Sequence, residues 1–329
     1  MKKHYTKDGL MTFDAATMDS TGSFLIGELE RLDQTLHMPL ASVTWSRDID
    51  LREDVSIADE VSSFTNSTFA AVGGTSPTGK AWIGKNSNAI AGMSLDIGKT
   101  ANPLNLWGME IAYTIPELQS AIQLGRPIDS QKLAGMQLKY QMDVDQQVYV
   151  GDTQLNLTGL FNSAAVTATN VPNGATASPL WANKTAQEIL KDVRAIEVAC
   201  WTASGYAIAP RQLRVPPSQM VALLQPLAIG GVVVAESILQ YVARNSLCLQ
   251  QNGVPLDIQS VKWLVGAGAG STDRMVVYTK EYDKVRFPLV PLQRTPLEYR
   301  GIYQLTNYFG RIGVVENPYP ETVRYADGI

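Results

Sequence analysis

The stretch from Trp45 to Ile97 constrains this chain more than any other. At its start, in SVTWSRDIDL, Val43, Trp45, Ile49 and Leu51 alternate with polar residues, and at its end Met93, Leu95 and Ile97 do the same. Such alternation marks a strand with one covered face. The residues between are rich in Ser, Thr, Asn and Gly. The pattern predicts two strands joined by a long polar middle, a hairpin with no core of its own. An arm of about 25 residues reaches ~80 Å when extended. A compact body of this chain length has a radius of gyration of only about 20 Å. Isolated two-stranded hairpins are marginal in water. The arm is therefore expected to lie on a neighbouring subunit.

The remainder is ordinary core-forming material. The chain has 329 residues, 45% of them hydrophobic, which is enough to bury a large core. Its formal net charge of -4 gives no basic excess for neutralising phosphates, so sequence-independent nucleic-acid binding is not expected. The start MKKHYTKDGL carries lysines but no apolar run behind them, and the longest apolar stretch, LAIGGVVVA, is too short for a signal peptide or a membrane span. A cytoplasmic protein is expected. Cys200 and Cys248 sit at no metal spacing and read as small buried hydrophobes. His4 and His37 are the only histidines, which leaves little for a zinc site or a Ser/His/Asp triad.

Several elements can be placed. GSFLIGELERLDQTL carries Phe24, Leu25, Leu29, Leu32 and Leu36 at helical spacing. NLWGMEIAYT sets Met109, Ile111 and Tyr113 on one strand face. A short helix starts near Pro116 and ends at Gly125. A long helix then runs from about Ser130, with Asp129 as N-cap, to Gly151, and Leu133, Met136, Tyr140, Val144 and Val148 form its stripe. Thr185 and Glu188 form a capping box ahead of the stripe Ile189, Val193, Ile196 and Cys200. GYAIAP reads as a strand, PPSQMVALLQPL and ESILQYVARNS as helices, DIQSVKWLV and DRMVVYT as strands, and GIYQLTNYFGRIGVV as a strand-rich end. The fold class is α+β.

The chemical motifs weaken on inspection. GGTSPTGKA, Gly73 to Ala81, imitates a phosphate-binding loop, but Ala81 follows Lys80 where the magnesium-binding Ser or Thr belongs, and no helix follows. A solvated loop tip is expected. VGAGAGSTDR, Val265 to Arg274, follows a strand but lacks dinucleotide spacing, and it reads as a turn between two antiparallel strands. Asp143 and Asp145 point to different sides of a helix, since residues advance ~100° each, so they read as solvated face residues. Asp152 is placed to brace the turn after the helix. No catalytic, cofactor or metal constellation emerges, and no cofactor is expected.

The stretch DVDQQVYVGDTQLNLTGLFN, with Gly151, Asp152, Thr158, Gly159, Leu160, Phe161 and Asn162, resembles the end of the spine helix and the following GLLN-like strand of Hong Kong 97-type tailed-phage major capsid proteins. The tail GRIGVVENPYPETVRYADGI is similar to the C-terminal end of a prophage branch of that family. The resemblance implies an N-terminal arm at 1–40, an extended loop at 41–104, a peripheral domain at 105–180, an axial domain at 181–290, and strands returning at 291–329. It implies pentamers and hexamers of the chain itself, closing into an icosahedral virion capsid around double-stranded DNA, with a portal. The short arm implies a separate scaffolding protein. Assembly in the host cytoplasm, without a membrane, is expected. Some relatives cross-link through a loop lysine, which would here be Lys80 or Lys85. An encapsulin-like compartment that packages enzymes, a soluble enzyme with an unseen site, and a phage tail or decoration protein are the competing readings.

Overall fold

A computed structural model describes residues 41–72, 92–124, 128–229 and 232–329. The helix expected at 22–36, both histidines, Gly125 and the GGTSPTGKA stretch with Lys80 and Lys85 lie outside these residues.

The described chain begins not with a strand but with a single helical turn, α1 (Trp45–Asp48), followed by the short strand β1 (Asp50–Arg52). The expected strand through Val43 and Trp45 is thereby corrected. Trp45 and Ile49 are four residues apart, so one helical turn buries both on one side. The strands β2 (Val61–Val72) and β3 (Gly92–Pro103) pair antiparallel from Val61↔Pro103 to Val72↔Gly92. The chain passes through the buried Leu104 into β4 (Asn105–Thr114) and the helix α2 (Ile115–Leu124).

The long helix α3 (Ile128–Tyr149) carries the expected stripe: Met136, Tyr140, Val144 and Val148 are buried. It already includes Asp129, so that residue lies inside the helix and is not its N-cap. Its C-terminal end explains the motif quoted above. Gly151 has φ +74, the left-handed geometry of a helix terminator. The chain then folds back as an irregular segment rather than a strand. Leu160 N donates to Val148 O (2.8 Å) and Phe161 N to Tyr149 O (3.0 Å), while Asn162 Nδ2 donates to Val150 O (2.7 Å). Carbonyls that a helix end leaves unpaired are thus satisfied. Gly159 makes this approach feasible, because a Cβ there would stand 2.4 Å from the Tyr149 carbonyl carbon.

After β5 (Ala168–Asn170), the capping box of Thr185 and Glu188 opens α4 (Ala186–Ala203). GYAIAP forms no strand; the first strand beyond α4 is β6 (Gln212–Val215). Then come α5 (Pro217–Leu223), β7 (Pro226–Ile229), β8 (Val232–Ser237), α6 (Ile238–Arg244), α7 (Leu247–Asn252), β9 (Asp257–Ser260) and β10 (Arg274–Tyr278). The helix read over PPSQMVALLQPL stops at Leu223, and its last residues turn into β7. The C-terminal strands are β11 (Arg286–Pro288), β12 (Gln293–Arg294), β13 (Glu298–Arg300), β14 (Tyr303–Ile312) and β15 (Arg324–Asp327).

One sheet has the order β5-β15-β10-β6-β9. VGAGAGSTDR joins two strands that run antiparallel, as expected, but they are not neighbours: β6 lies between β9 and β10, parallel to the first and antiparallel to the second. Residues alternate across it, so each face has its own core. Leu213, Val215, Met275, Val277 and Ala326 pack under α4 with Ile189, Val193 and Cys200. Val276, Tyr278 and Tyr325 face the other way, onto Tyr149, Phe161, Phe287 and Ile49. Arg214 also points to that second face. It is fully buried and donates to Asp48 (Nε, 2.9 Å) and to Asp257 (Nη2, 2.7 Å). Asp48 also accepts from Arg47 and from the Tyr149 hydroxyl. Burial pushes the Asp48 carboxyl up, but these donors outweigh it and hold the group below its ordinary value. In a second sheet β14 is central: β4 runs along its whole length on one edge, and β12 and β13 share the other.

Two outcomes test this packing. Gly159→Ala places a methyl inside the Tyr149 backbone and is expected to cost about 3 kcal/mol in denaturant unfolding; an unchanged midpoint would show that the fold-back is loose. Glu197, on α4, accepts one bond from Leu247 N (3.3 Å) while its Oε1 is buried without a partner among the described residues. Burial pushes its carboxyl up to about 7, against the lowering effects of the Leu247 N–H bond and of Arg194. Its contribution to stability is therefore fully present below pH 4.5 and is lost as pH rises through about 7. Glu197→Gln should raise the melting temperature at pH 8 and leave it nearly unchanged at pH 4.5.

Candidate assembly surface

The β2–β3 hairpin leaves one of its strands uncovered among the described residues. Each strand has 12 residues, so each spans about 40 Å at ~3.3 Å per residue. Every residue of β3 from Gly92 to Ala101 is exposed. Met93 (76% exposed), Leu95 (52%) and Ile97 (61%) therefore present a row of large apolar side chains to solvent. Their alternation, visible in the sequence, marks a face to be covered, and nothing within the described chain covers it. A flat apolar strand of this kind invites pairing with another chain.

The root of the hairpin is rigid by contrast. The carboxylate of Glu316 is fully buried. It accepts from Arg52 Nη1 (3.1 Å to each oxygen), from Arg286 Nε (2.7 Å) and from the Ser62 hydroxyl. β1 and β11 pair in parallel, and the backbones of Arg286 and Glu316 exchange bonds of 3.1 and 2.9 Å, so both guanidinium groups stand beside the acid. Arg52 Nη1 also donates to Ser63 O (3.0 Å) on β2. Arg311, on β14, bonds Ile57 O (2.7 Å) and Leu104 O (2.9 Å), clamping the chain just before β2 and just after β3. Asn66 Nδ2 reaches Pro318 O (3.1 Å). Buried charges paired this way lose several kcal/mol when one partner is removed.

Other exposed apolar groups include Leu106, just beyond the hairpin, and residues farther along the chain. Tyr299, Ile302 and Tyr303 gather at the β13–β14 turn, and Tyr206, Val221, Leu224 and Val254 sit around the α5–α7 segment.

The residues weighed in the sequence fall out as follows. Lys80 and Lys85 lie outside the described residues. Asp145 is not a solvated helix residue: it is fully buried and accepts from Thr44 N (2.8 Å), Trp45 N (3.1 Å) and Trp263 Nε1 (2.6 Å). It thereby fixes the start of α1 against α3. Asp143 pairs with Lys139 (2.5 Å) and accepts from Trp107 Nε1 (3.0 Å). Asp152 braces the turn through Gln154 N (2.8 Å). Cys200 and Cys248 are free and buried, and burial pushes the Cys200 thiol up to about 12. Sequence reasoning missed Glu316, Arg52, Arg286 and Ser62. Their partners are 10 to 264 residues apart, and no periodicity marks them. Among the described residues no three His, Cys, Asp or Glu side chains are grouped to hold a metal, and no helix is long and apolar enough to cross a membrane.

Comparison with known proteins places this geometry. The sequence model of the major capsid protein family matches residues 79–329. The fold is similar to the capsid subunit of Myoviridae phage XM1, with a TM-score of 0.75 at 14% identity over 92% of this chain and 98% of that one. It is also similar to the native GTA particle capsid (TM-score 0.58, 14% identity, 92% and 96% covered). Gordonia phage Cozz gives a TM-score of 0.57 at 11% identity, with 99% of both chains covered. No curated protein matches the sequence. With the family model matching most of its length, the chain belongs to the major capsid protein family, as a structural subunit of an icosahedral phage capsid.

Proposed function

We propose that copies of this chain form a shell of the Hong Kong 97 type around double-stranded DNA, with each β2–β3 hairpin laid across a neighbouring copy. The observation that carries this reading is the contrast between the exposed row Met93, Leu95 and Ile97 and the buried knot at Glu316. A rigid root aims the arm, and the apolar row supplies the contact. Each contact is weak, but closed symmetry repeats it around the particle.

The reading assigns residues 1–40 to an arm, 41–104 to the extended loop, 105–180 to a peripheral domain, 181–290 to an axial domain and 291–329 to returning strands. Pairing of β14 with β4 supports the return, and β15 continues into the five-stranded sheet. The role is structural, not enzymatic. A scaffolding protein and a portal are the partners it calls for, with assembly in the host cytoplasm. The net charge of -4 favours confinement over attraction as the means of holding DNA. Lys80 and Lys85 are assigned to the contact at the loop tip. Boiled particles on a denaturing gel give a ladder if that contact is covalent and one band if it is not.

The test is assembly. Met93→Asp, Leu95→Asp and Ile97→Asp together should leave a folded body with an unchanged unfolding midpoint and no closed particles by negative-stain microscopy. Deleting Ser67 to Ser87 should do the same. Full-size shells from either variant would contradict the hairpin's role. Glu316→Gln removes the buried anion shared by the partly buried Arg52 and Arg286, with Asp54 left to Arg52 alone, and should cost about 3 kcal/mol in unfolding. Nuclease-resistant DNA inside particles supports a genome shell, whereas a packaged enzyme would identify a cargo compartment.

A further inference from the structure

A cleft of about 640 Å³ runs beside α3 and has no occupant among the described residues. Its lining is mainly apolar, with Trp45, Leu51, Ala134, Leu138, Leu289 and Leu292. Glu53 also lines it, is exposed, and forms no ion pair among the described residues.

The exposed face of β3 matches this cleft in three respects. Side chains alternate along a strand, so Met93, Leu95 and Ile97 share one face and Lys99 is the next residue on it. The first match is chemical, an apolar row against an apolar lining. The second is length. Met93 to Ile97 advances ~13 Å along the strand, and Ala134 to Gln141, which both line the cleft, advance ~10 Å along α3. The third is charge. Lys99 is exposed and has no ion pair among the described residues, and its charge is opposite to that of Glu53.

The row does not reach its own cleft. Leu51 and Glu53 lie at the root of the hairpin, where Arg52 between them donates to Ser62 and Ser63. Pro103 pairs with Val61 at that root, and Ile97 stands about 20 Å farther out along a strand that is paired to β2 and exposed. The occupant must come from another molecule. We infer that the cleft beside α3 receives the Met93, Leu95 and Ile97 face of a second copy, with Lys99 of that copy set against Glu53. The inference rests on the shell reading and names the surface that receives the hairpin.

Disulfide trapping in particles assembled from the full chain tests it. On mild oxidation, Ile97→Cys with Leu138→Cys should link chains into a ladder on a non-reducing gel, at least about tenfold above either single variant. Cys200 and Cys248 are buried and should stay out of it. Ile97→Cys with Leu155→Cys, an exposed position outside the cleft, should give no ladder. Charge reversal supplies a second measurement that spares the apolar contact. Lys99→Glu alone and Glu53→Lys alone set like charges together, and each should lower the yield of closed particles at least about tenfold, because the contact repeats around the shell. The two substitutions in one chain should restore the yield. Particles that form without an Ile97–Leu138 ladder, a stronger ladder from the Leu155 pair, or a double reversal that recovers nothing would overturn the cleft assignment and leave the shell reading standing. A disulfide closed within a single chain would place the hairpin on its own body and overturn it too. Absence of closed particles from the unsubstituted chain would remove both.

Discussion

The carboxylate of Glu316 decides what the extended hairpin can do. A fully buried anion is costly unless donors surround it, and here two guanidinium groups and a hydroxyl do so. Those donors come from three separate places: Arg52 on β1, Ser62 on β2 and Arg286 on β11. Satisfying one acid therefore fixes the entry to the hairpin relative to the body. Arg311 fixes the exit by the same logic, with backbone carbonyls as acceptors. Beyond this root the two strands pair with each other, and β3 is exposed from Gly92 to Ala101. A free hairpin of that kind would be marginal, so its stable state is completed by association.

The body behind the root is built around a sheet used on both sides. Alternate residues of β6, β10 and β15 feed two different cores, and the C-terminal Ile329 is itself buried in one of them. Strands buried on both faces read as continuous apolar runs, as in RMVVY. Two arginines interrupt them: Arg274, received by Asp327 and the Tyr325 ring, and Arg214, which sits among apolar neighbours because Asp48, Asp257 and the Tyr278 ring receive it. The Arg214–Asp48 pair ties α1 to the sheet, while Asp145 ties α1 to α3. The segment leading into the hairpin is thus held by charge at two points before it reaches Glu316.

Much of this was legible in the residues. The long helix, its stripe, the capping box at Thr185, the strand through Met109 and Ile111, and the uncovered row on β3 all follow from local periodicity. The capsid fold itself came from a resemblance carried by the Gly151 to Asn162 segment. That motif now has a physical basis, because Gly159 is the residue that lets the chain touch the helix end. What failed depended on distant partners. Val43 to Leu51 alternates like a strand, yet Asp145, a hundred residues on, draws the backbone N–H groups of Thr44 and Trp45 into a helical start. The loop after β9 does join antiparallel strands, but no local signal showed that β6 stands between them. Glu316 lies in VVENPYP, where no local pattern announces a buried acid.

The central claim is that the exposed row of β3 is completed by another copy. Amide exchange of residues 92–101, compared between unassembled chain and closed particles, measures this most directly. Strong slowing on assembly, greatest around Met93 to Ile97, is the predicted result. Equal, rapid exchange in both states would mean that the arm stays uncovered in the shell and that other surfaces hold the particle together.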